Sequence, residues 1–416
     1  MSYVYVLNKD GKPIMPTKRH NKVAYLLKHK LAYVVKRTPF TIRLNYSAKN
    51  YTQEVNLGVD AGSKVIGLSA TTEKNILFEA EVRLRNDVSL NIYDRKMRRK
   101  VRRRRKTRYR KPRFNNRSAS NKKGEVLPSI RQKIDCHKTV IDKVNSILPI
   151  KRIILELAAF DIQKIINPNI KGVEYQKGNQ EGFWNLREYV LFRDDHTCQN
   201  CKGKSKDNIL EVHHIVRRKI GCDAPNNLIT LCKTCHQNFH NKKITLNFKR
   251  GEAFKDTTFM NILQSFLPRE LKKKYPNVSE TYGYLTKTAR INHDLPKEHY
   301  IDARCISGNP QACNDVNYIY RMWKNRNHNR QLHRDKIRKG GKRLSSKSPF
   351  LLFNFRLNDK VLFDKKICFI SGRRTRGVFS IKNIYGDLIK DGIIYKKLKL
   401  IEKAKSYRID QTKEAV

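Results

Sequence analysis

The chain has 416 residues, with 90 lysines and arginines against 37 aspartates and glutamates, which gives a formal net charge of +53. This length allows several modules rather than one core. Such a charge repels itself in a compact protein, so it excludes an ordinary metabolic enzyme and favours a nucleic-acid partner, whose phosphates pair with Lys and Arg. A membrane surface is the weaker alternative. The sequence has no apolar run of 18 residues and its first 30 residues lack a signal-peptide pattern, so nothing favours export or membrane insertion.

The first 50 residues predict a small module, and the next segment predicts a strand with an acidic end. Residues 3–7 have the pattern of a short strand, and a basic helix is expected near residues 21–29. From Val55 a β-branched alternation leads to Asp60 and a glycine turn, and residues 65–70 predict its hairpin partner. Asp60 is therefore expected at the mouth of a sheet.

A strongly basic segment follows, in which 15 of the 23 residues from 95 to 117 are Lys or Arg. It has no Gly and its only Pro is at position 112, so a helix up to Lys111 is predicted. Like charges on every face would destabilise that helix in isolation, and phosphates would order it. A disordered cationic tether is the alternative. The candidate nucleic-acid contacts are Arg95, Arg98, Arg99, Arg102, Arg103, Arg105, Arg108 and Arg110.

Four of the nine cysteines form two C-x-x-C pairs, Cys198 with Cys201 and Cys232 with Cys235. In a basic intracellular protein this spacing is typical of metal ligation rather than of disulfides. Four thiolates in two knuckles close a tetrahedral structural zinc site and stabilise a module too small for a large core. The remaining cysteines are single and are interpreted as inert thiols.

A series of polar residues interleaves with the second knuckle: His213, His214, Asn227, His236 and His240. Since four cysteines already satisfy zinc, these histidines are left for a second ion. The string resembles the HNH (ββα-metal) nuclease family. That resemblance implies that His213, His236 and His240 hold a divalent cation, that His214 is the general base, and that Asn227 orients the base and its loop. The alternative is a zinc-finger-like DNA reader that His236 and His240 only complete.

Three further acidic positions lie outside this module. Asp60 ends one predicted strand, Glu156 lies in a buried strand pattern, and His299 and Asp302 are spaced to share one helical face. Taken singly, each could be a turn cap or a surface charge. In an RNase H-like sheet such positions converge to hold two divalent ions, which activate water and stabilise the leaving oxygen of a phosphodiester.

The last part of the chain predicts a helix, a basic connector and a β-rich module. Apolar residues between 254 and 266 favour a helix that packs on the sheet. Residues 321–348 are basic. After residue 350 short strands are predicted at 351–355, 361–363 and 368–370, with glycine-containing turns between later strands.

Together these motifs resemble the IscB family of transposon-encoded, RNA-guided nucleases, relatives of the type II CRISPR effectors, over nearly the whole chain. Residues 13–16 are similar to the family's P-L-M-P motif, residues 58–64 to its first RuvC-like segment and residues 95–117 to its bridge helix. Glu156 and residues 299–303 match the second and third RuvC-like segments. Residues 372–374, with Arg373 and Arg374, resemble the region that reads the target-adjacent motif.

The resemblance implies an α+β multidomain protein whose RNase H-like (RuvC) mixed sheet is split in three by a bridge helix and a zinc-stapled HNH module. The implied domains are a PLMP-like domain (1–52), RuvC-like segment I (53–93), an arginine-rich bridge helix (94–117), RuvC-like segment II with a linker (118–177), the HNH domain (178–243), RuvC-like segment III (244–320), a basic connector (321–348) and a target-adjacent-motif-interacting β module (349–416).

The same resemblance implies an RNA-guided endonuclease for double-stranded DNA. The HNH site would cut the guide-paired strand and the RuvC-like site the displaced strand, with Mg²⁺ or Mn²⁺ as the catalytic ion and Zn²⁺ as the structural ion. A guide and scaffold omega RNA would be the partner of a protein monomer, in a prokaryotic cytoplasm and associated with the nucleoid. Two alternatives remain at this point: a protein-only HNH endonuclease of homing or restriction type, and a non-catalytic RNA-binding protein.

Overall fold

The structure is a computed structural model that describes residues 2–49, 51–104, 126, 128–158, 183, 185–217, 223–251, 255–313, 318–326, 336–337, 343–344 and 349–413. The chain divides into two compact units. The first comprises Met1–Ser89, Arg98–Ala159 and Phe259–Val416, and the second comprises Leu90–Met97 and Phe160–Thr258. Each unit is described separately below.

The helices of the described residues are α1 (His20–Lys28), α2 (Val88–Arg104), α3 (Pro128–Asn145), α4 (Leu186–Arg193), α5 (Lys233–His240), α6 (Lys255–Lys272), α7 (Gly283–Asn292) and α8 (His299–Ile306). None of them combines the length and the apolar character that crossing a bilayer requires. The strands are β1 (Val4–Leu7), β2 (Pro13–Thr17), β3 (Ala32–Lys36), β4 (Thr41–Leu44), β5 (Asn56–Ala61), β6 (Val65–Thr71), β7 (Ile76–Arg83), β8 (Arg152–Glu156), β9 (Leu210–His214), β10 (Leu228–Cys232), β11 (Val278–Thr281), β12 (Tyr318–Lys324), β13 (Lys336–Ile337), β14 (Arg343–Leu344), β15 (Lys360–Phe363), β16 (Lys366–Arg373), β17 (Val378–Lys382), β18 (Leu388–Ile394), β19 (Lys399–Glu402) and β20 (Tyr407–Lys413).

A seven-stranded mixed sheet, in the order β11-β8-β5-β6-β7-β12-β20, is the centre of the first unit. Strands β5, β6 and β7 form an antiparallel meander, while β8 runs parallel to β5 and β12 parallel to β7. One face of the sheet shares a continuous apolar core with α3 and α6, through residues such as Val140, Val144 and Leu263. Their spacing at helical periods explains why these segments pack as helices on the sheet.

Helix α8 lies on the other face of the sheet, very close to the backbone of β5 and β6. A Cβ atom built at Gly58 would lie 1.9 Å from the carbonyl oxygen of Ala303, and one built at Gly67 would lie 1.9 Å from that of His299. Any side chain at these two positions would therefore force the helix away. A buried ion pair also ties α8 to the sheet, because Arg304 donates to both carboxylate oxygens of Glu79 on β7, at 2.8 and 3.0 Å.

Three smaller sheets belong to the described part of the first unit, and one of them is the two-stranded pair β13-β14. The N-terminal module is a four-stranded sheet, β2-β1-β4-β3, whose inner face packs against Val23 and Leu26 of α1. The C-terminal module is a five-stranded antiparallel sheet, β18-β17-β16-β15-β19, with its own core around Val361, Phe379 and Ile381. Both modules can bury apolar residues on their own.

The second unit holds a two-stranded antiparallel hairpin, β9 and β10, with α4 and α5 packed against it. Asn185 caps α4 by accepting a hydrogen bond from the backbone of Glu188 at 3.0 Å. Asp194 follows α4 and accepts from the backbone N–H of Thr230 on β10 at 2.8 Å, which fixes the helix to the hairpin. This small β-β-α arrangement presents the residues of the predicted HNH module.

The mixed α+β, multidomain architecture predicted from the sequence is confirmed, and so are the strands at 3–7, 65–70, 361–363 and 368–370. The predicted strand at 351–355 is wrong. Phe353 and Asn354 there have φ values of 47° and 63°, and the segment forms a tight turn instead. The predicted basic helix is observed as α2 up to Arg104, and residues 105–117 lie outside the described residues.

Replacing Gly67 by Ala is expected to lower the free energy of unfolding by about 1 to 3 kcal/mol, because the new methyl group overpacks the contact with α8. The thermal melting temperature measures the effect. Gly372→Ala is the matched control, since its methyl would meet only the side chain of Ser380, with the hydroxyl oxygen at 3.1 Å. Equal melting temperatures for the two variants would contradict the close packing of α8.

Candidate active site and metal centres

Four residues predicted from distant parts of the chain meet at one edge of the seven-stranded sheet, and we call them the carboxylate site: Asp60, Glu156, His299 and Asp302. Asp60 and Glu156 are direct partners on the parallel strands β5 and β8. His299 and Asp302 lie in the first turn of α8, and His299 Nδ1 is 2.6 Å from Asp60 Oδ2. The close approach of α8 to Gly58 and Gly67 makes this contact possible.

The electrostatics of the carboxylate site show that its negative charges repel one another. Burial raises the pKa of the Glu156 carboxyl, and the charges of Asp60 and Asp302 raise it further. Burial followed by the charge of Asp60 likewise raises the pKa of Asp302. The hydrogen bond to Asp60 raises the pKa of His299, which favours an imidazolium beside the carboxylates. A cation bound here would relieve this repulsion.

The buried Oε2 oxygen of Glu156 has no partner in hydrogen-bond geometry, although the Thr286 side chain is close enough to lower the pKa of this carboxyl and partly offset the effect of burial. An unpaired buried carboxylate oxygen fits a metal ligand. Asp302 Oδ1 instead lies 3.1 Å from Nε of Arg290. Within the described residues, two groups of three or more metal-binding side chains bring their ligand atoms within 4.8 Å of one another, and the carboxylate site is not one of them.

The first of those groups is the histidine site, His213, His236 and His240. His213 lies near the end of β9 in the hairpin. His236 and His240 lie one turn apart on α5. The two Nε2 atoms of His236 and His240 are 3.0 Å apart. Two imidazole nitrogens bound to one ion at about 2.1 Å would lie about 3.0 to 3.4 Å apart, so the spacing fits a shared cation. Burial, and then its neighbours His236 and His240, lower the pKa of His213 to about 4, so its imidazole is neutral near pH 7 and could bind a cation.

A carboxylate that the sequence analysis did not single out fixes one of these imidazoles. Glu211 Oε2 lies 2.5 Å from His236 Nδ1. With that nitrogen donating to Glu211, Nε2 keeps its lone pair and faces His240. Histidine ligands of metals are commonly held in this way by a carboxylate, which fixes the tautomer and makes the ligand more basic.

The predicted general base, His214, has a carboxylate partner of its own. Its Nε2 lies 2.9 Å from Oδ1 of Asp223. With Nε2 donating to Asp223, the Nδ1 nitrogen is the available base. Asn227 is fully buried and braces the loop after His214, because its side chain accepts from the N–H of Val216 and donates to the C=O of Val216, both at 2.9 Å.

The second compact group is the cysteine site, Cys198, Cys201, Cys232 and Cys235. The sulfurs of Cys201 and Cys232 are 3.8 Å apart, too far for a disulfide. Two thiolates at about 2.3 Å from a tetrahedral zinc would be about 3.8 Å apart, so this distance fits the predicted zinc site. The four cysteines come from a turn after α4 and from the junction of β10 and α5.

The thiols of the cysteine site differ in acidity. Burial opposes ionisation of Cys201, but hydrogen bonds from Ser205 lower its pKa to about 6. Burial raises the pKa of Cys235 to about 12. Four close thiols cannot all ionise without a cation between them, and zinc would supply that charge.

The predicted nucleic-acid contacts are partly visible. Arg95, Arg98 and Arg99 are exposed on α2. The side chains of Arg102 and Arg103 are not described, and Arg105, Arg108 and Arg110 lie outside the described residues. Arg373 donates to the backbone carbonyls of Pro349, Phe350 and Phe355, and Arg374 pairs with Asp391 at 2.7 Å. The structure thus gives Arg373 a role within its own module.

Sequence reasoning missed Glu211, Asp223 and the ion pair of Glu79 with Arg304. Glu211 had a signal, since it lies two residues before His213 and therefore on the same face of β9. Asp223 had none, because only the fold of the loop brings it to His214. Glu79 was hidden in an apolar strand, where it is 2% exposed.

Comparison with known proteins adds two family matches. Residues 4–178 match the family model described as RRXRR protein, and residues 198–242 match the model of HNH endonucleases. No curated protein matches the chain. Two crystal structures of Streptococcus thermophilus Cas9, in complex with the AGAA PAM and with the AGGA PAM, are 14% and 15% identical to it with TM-scores of 0.29.

The alignment with these Cas9 structures covers 45% of this chain and 26% of theirs. A TM-score of 0.29 is too low to carry an argument about the whole fold. The HNH match, in contrast, covers all four cysteines of the cysteine site, all three histidines of the histidine site and His214. Residues 198–242 are therefore similar to HNH endonucleases, and residues 4–178 are similar to RRXRR proteins.

Proposed function

We propose that the protein is an RNA-guided endonuclease for double-stranded DNA, with one hydrolytic centre at the histidine site and a second at the carboxylate site. The observation that carries the nuclease assignment is the pairing of His214 with Asp223 beside three converging imidazoles, inside a region that matches HNH endonucleases. Phosphodiester hydrolysis needs a base for the attacking water and a cation near the leaving oxygen, and this arrangement provides both.

At the histidine site, the chain's own residues set up proton transfer. Asp223 holds the imidazole of His214 through Nε2, so that Nδ1 takes the proton of the attacking water. Asn227 holds the loop that follows His214 in place. Glu211 keeps His236 in the tautomer whose Nε2 binds a cation. A cation bound by the three imidazoles would stabilise the charge that develops on the phosphate and the leaving oxygen.

The donor atoms favour different ions at the two centres. Three neutral imidazoles suit a transition-metal ion better than Mg²⁺, which prefers oxygen ligands and an octahedral shell. The carboxylates Asp60, Glu156 and Asp302 suit Mg²⁺ or Mn²⁺. We therefore propose Mg²⁺ or Mn²⁺ for the carboxylate site, a transition metal for the histidine site and zinc for the cysteine site.

The second centre separates this proposal from a protein-only HNH endonuclease. A homing or restriction enzyme of that type explains the HNH domain and the charge of +53, but it does not require the meeting of Asp60, Glu156 and His299 on the large sheet. Such a convergence is what an RNase H-like (RuvC-like) nuclease needs to cut a second strand. A purely RNA-binding protein needs neither centre.

RNA guidance rests on the resemblance to the IscB family and is supported by the exposed arginines of α2 and by the RRXRR region. In such complexes base pairing reads the sequence while the protein reads duplex shape and a short adjacent motif. The guide and scaffold omega RNA would neutralise much of the positive charge. Under this proposal the histidine site cuts the guide-paired strand and the carboxylate site cuts the displaced strand.

The guided function predicts that the protein, purified from cells that express its native locus, carries one discrete and abundant RNA. Sequencing of the bound RNA provides the measurement. Cleavage of a plasmid should then depend on a match to that RNA. A heterogeneous RNA pool, or cleavage that is the same with and without a matching sequence, would refute guidance and favour the protein-only endonuclease.

The two centres are expected to cut different strands of a guide-matched plasmid. His214→Ala should slow cutting of the guide-paired strand by about 100- to 10,000-fold, since it removes the general base, and leave the displaced strand nicked. Asp60→Ala should slow cutting of the displaced strand and leave the guide-paired strand nicked. Strand-specific end labels on the plasmid distinguish the two nicks.

Asp223→Asn is the matched variant for this experiment, because it keeps the shape of the side chain but removes the charge that holds His214. It should slow cutting of the guide-paired strand less than His214→Ala does, and cutting of the displaced strand should be unaffected. If either His214→Ala or Asp60→Ala still linearises the plasmid at the wild-type rate, the assignment of that centre is wrong.

The cysteine site predicts one tightly bound zinc per chain in addition to any catalytic ion. Cys198→Ser should remove that zinc and lower the melting temperature, because metal binding contributes about 10 kcal/mol or more to folding of such small modules. Elemental analysis after dialysis against a weak chelator measures the zinc. Cys313→Ser, at an exposed cysteine outside the site, is the control. Unchanged zinc in Cys198→Ser would show that the knuckles do not bind it.

A further inference from the structure

We propose that the first unit contains a binding cleft for a single-stranded segment of RNA, in which lysines and arginines hold the phosphates and Phe350 stacks on a base. We call it the basic cleft and define it by Lys143, Lys324, Arg326, Phe350, Arg356 and Lys405. The inference rests on the proposed function in one respect, namely that the protein retains an RNA. It adds where and how part of that RNA is held.

The larger part of the basic cleft is an open cavity of about 520 Å³ between α3, the end of β12 and the turn that precedes β15. Four of its lining residues are cations, Lys324, Arg326, Arg356 and Lys405. Among the residues that the structure describes, no Asp or Glu lines this cavity. Its volume lies in the range of ordinary ligand sites, and its charge selects an anion.

A second, smaller cavity shares Asn358, Ala404 and Lys405 with the first, and Lys36 and Lys143 line it. The ammonium groups of Lys143 and Lys324 both lie over the ring of Tyr407, at 5.4 and 4.5 Å from its centroid. Lys143 and Lys324 are therefore held together over one buried ring, since Tyr407 is 4% exposed.

This convergence has an electrostatic cost in the absence of a ligand. Burial and the neighbouring charges of Lys405 and Lys324 lower the pKa of Lys143, and burial with Lys143 and Lys405 lowers that of Lys36. Glu402, which pairs with Lys405 at 2.7 Å, offsets only part of this repulsion. Phosphates bound in the cleft would remove the rest.

Phe350 gives the basic cleft a stacking surface. Its side chain is 67% exposed, although it is a large apolar ring. Its backbone carbonyl accepts a hydrogen bond from Arg373 at 2.9 Å, so the ring stands on an anchored segment. The guanidinium of Arg356 lies 4.9 Å from the ring centroid. An exposed aromatic ring beside cations is the usual platform for an unpaired base.

The register of the sheet separates the basic cleft from the carboxylate site. Asp60 pairs with Gly67, Gly67 with Glu81, and Glu81 with Arg321, so these four residues share one face. Lys324 lies three residues beyond Arg321 and therefore points to the opposite face, because side chains alternate along a strand. A nucleotide in the cleft is thus not the one cut at Asp60, which favours a retained RNA over the substrate strand.

Titration of the full-length, RNA-free protein with a single-stranded oligouridine RNA tests the proposal, with oligothymidine DNA of equal length as the second probe. Lys143→Gln/Lys324→Gln should weaken RNA binding about tenfold. The slope of log affinity against log salt should fall by about 1.4, because each lost phosphate contact removes about 0.7. Phe350→Leu should also weaken binding about tenfold, through lost stacking. Fluorescence anisotropy measures all of these.

Lys22→Gln/Lys28→Gln, which removes two exposed charges from α1, is the matched control and should bind as the wild type does. Photocrosslinking with 4-thiouridine in the same RNA should label the peptide that carries Phe350. Wild-type affinity and salt slope in Lys143→Gln/Lys324→Gln would overturn the cleft, as would tighter binding of the DNA probe with crosslinks at the same peptide.

The melting temperature of Lys143→Gln/Lys324→Gln without RNA should equal or exceed that of the wild type, because repulsion is relieved. If the melting temperature of the double lysine variant falls, its weaker binding could reflect unfolding, and the Phe350→Leu variant then serves as the test. Wild-type RNA affinity of Phe350→Leu would overturn the proposal. These experiments measure RNA binding and not DNA cleavage, so their outcome is independent of the test of the proposed function. Absence of guided plasmid cleavage would refute guidance but would not change the result for the basic cleft.

Discussion

The close approach of α8 to the backbone of β5 and β6 is the constraint on which the carboxylate site depends. Two positions without side chains, Gly58 and Gly67, let the helix carbonyls lie where a methyl group would otherwise be. The buried pair of Glu79 with Arg304 then fixes the helix against sliding or rotating. Breaking such a pair by removing one partner typically costs about 3 to 5 kcal/mol, because a buried charge is left uncompensated.

In the region that matches HNH endonucleases, other contacts hold the candidate metal ligands in place. This region has too few residues for a large core, so a four-cysteine site, the buried Asn227 and the contact of Asp194 with β10 hold the hairpin and helix together. Two of the imidazoles are each held by a carboxylate, His236 by Glu211 and His214 by Asp223. Rigid supports of this kind give the small domain a defined set of ligands.

Charge is distributed unevenly over these parts. Negative groups converge at the carboxylate site, imidazoles converge at the histidine site, and lysines and arginines converge at the basic cleft. In each place the free protein holds like or competing groups together, which folding alone would not favour. The arrangement fits the proposed cations at the carboxylate and histidine sites and phosphates at the basic cleft. Part of the net charge of +53 is thus concentrated at a proposed phosphate-binding site.

The sequence by itself determined the chemical inventory: two cysteine pairs, the histidine series, a basic helix and acidic strand ends, because these depend on local spacing and composition. It also predicted the strands with clear alternation. Only the tertiary structure decided that Asp60, Glu156 and His299 meet, that Glu211 and Asp223 support the histidines, that Arg373 serves its own module and that residues 351–355 turn. Such contacts join residues far apart in the chain through packing and strand register, which local patterns do not encode.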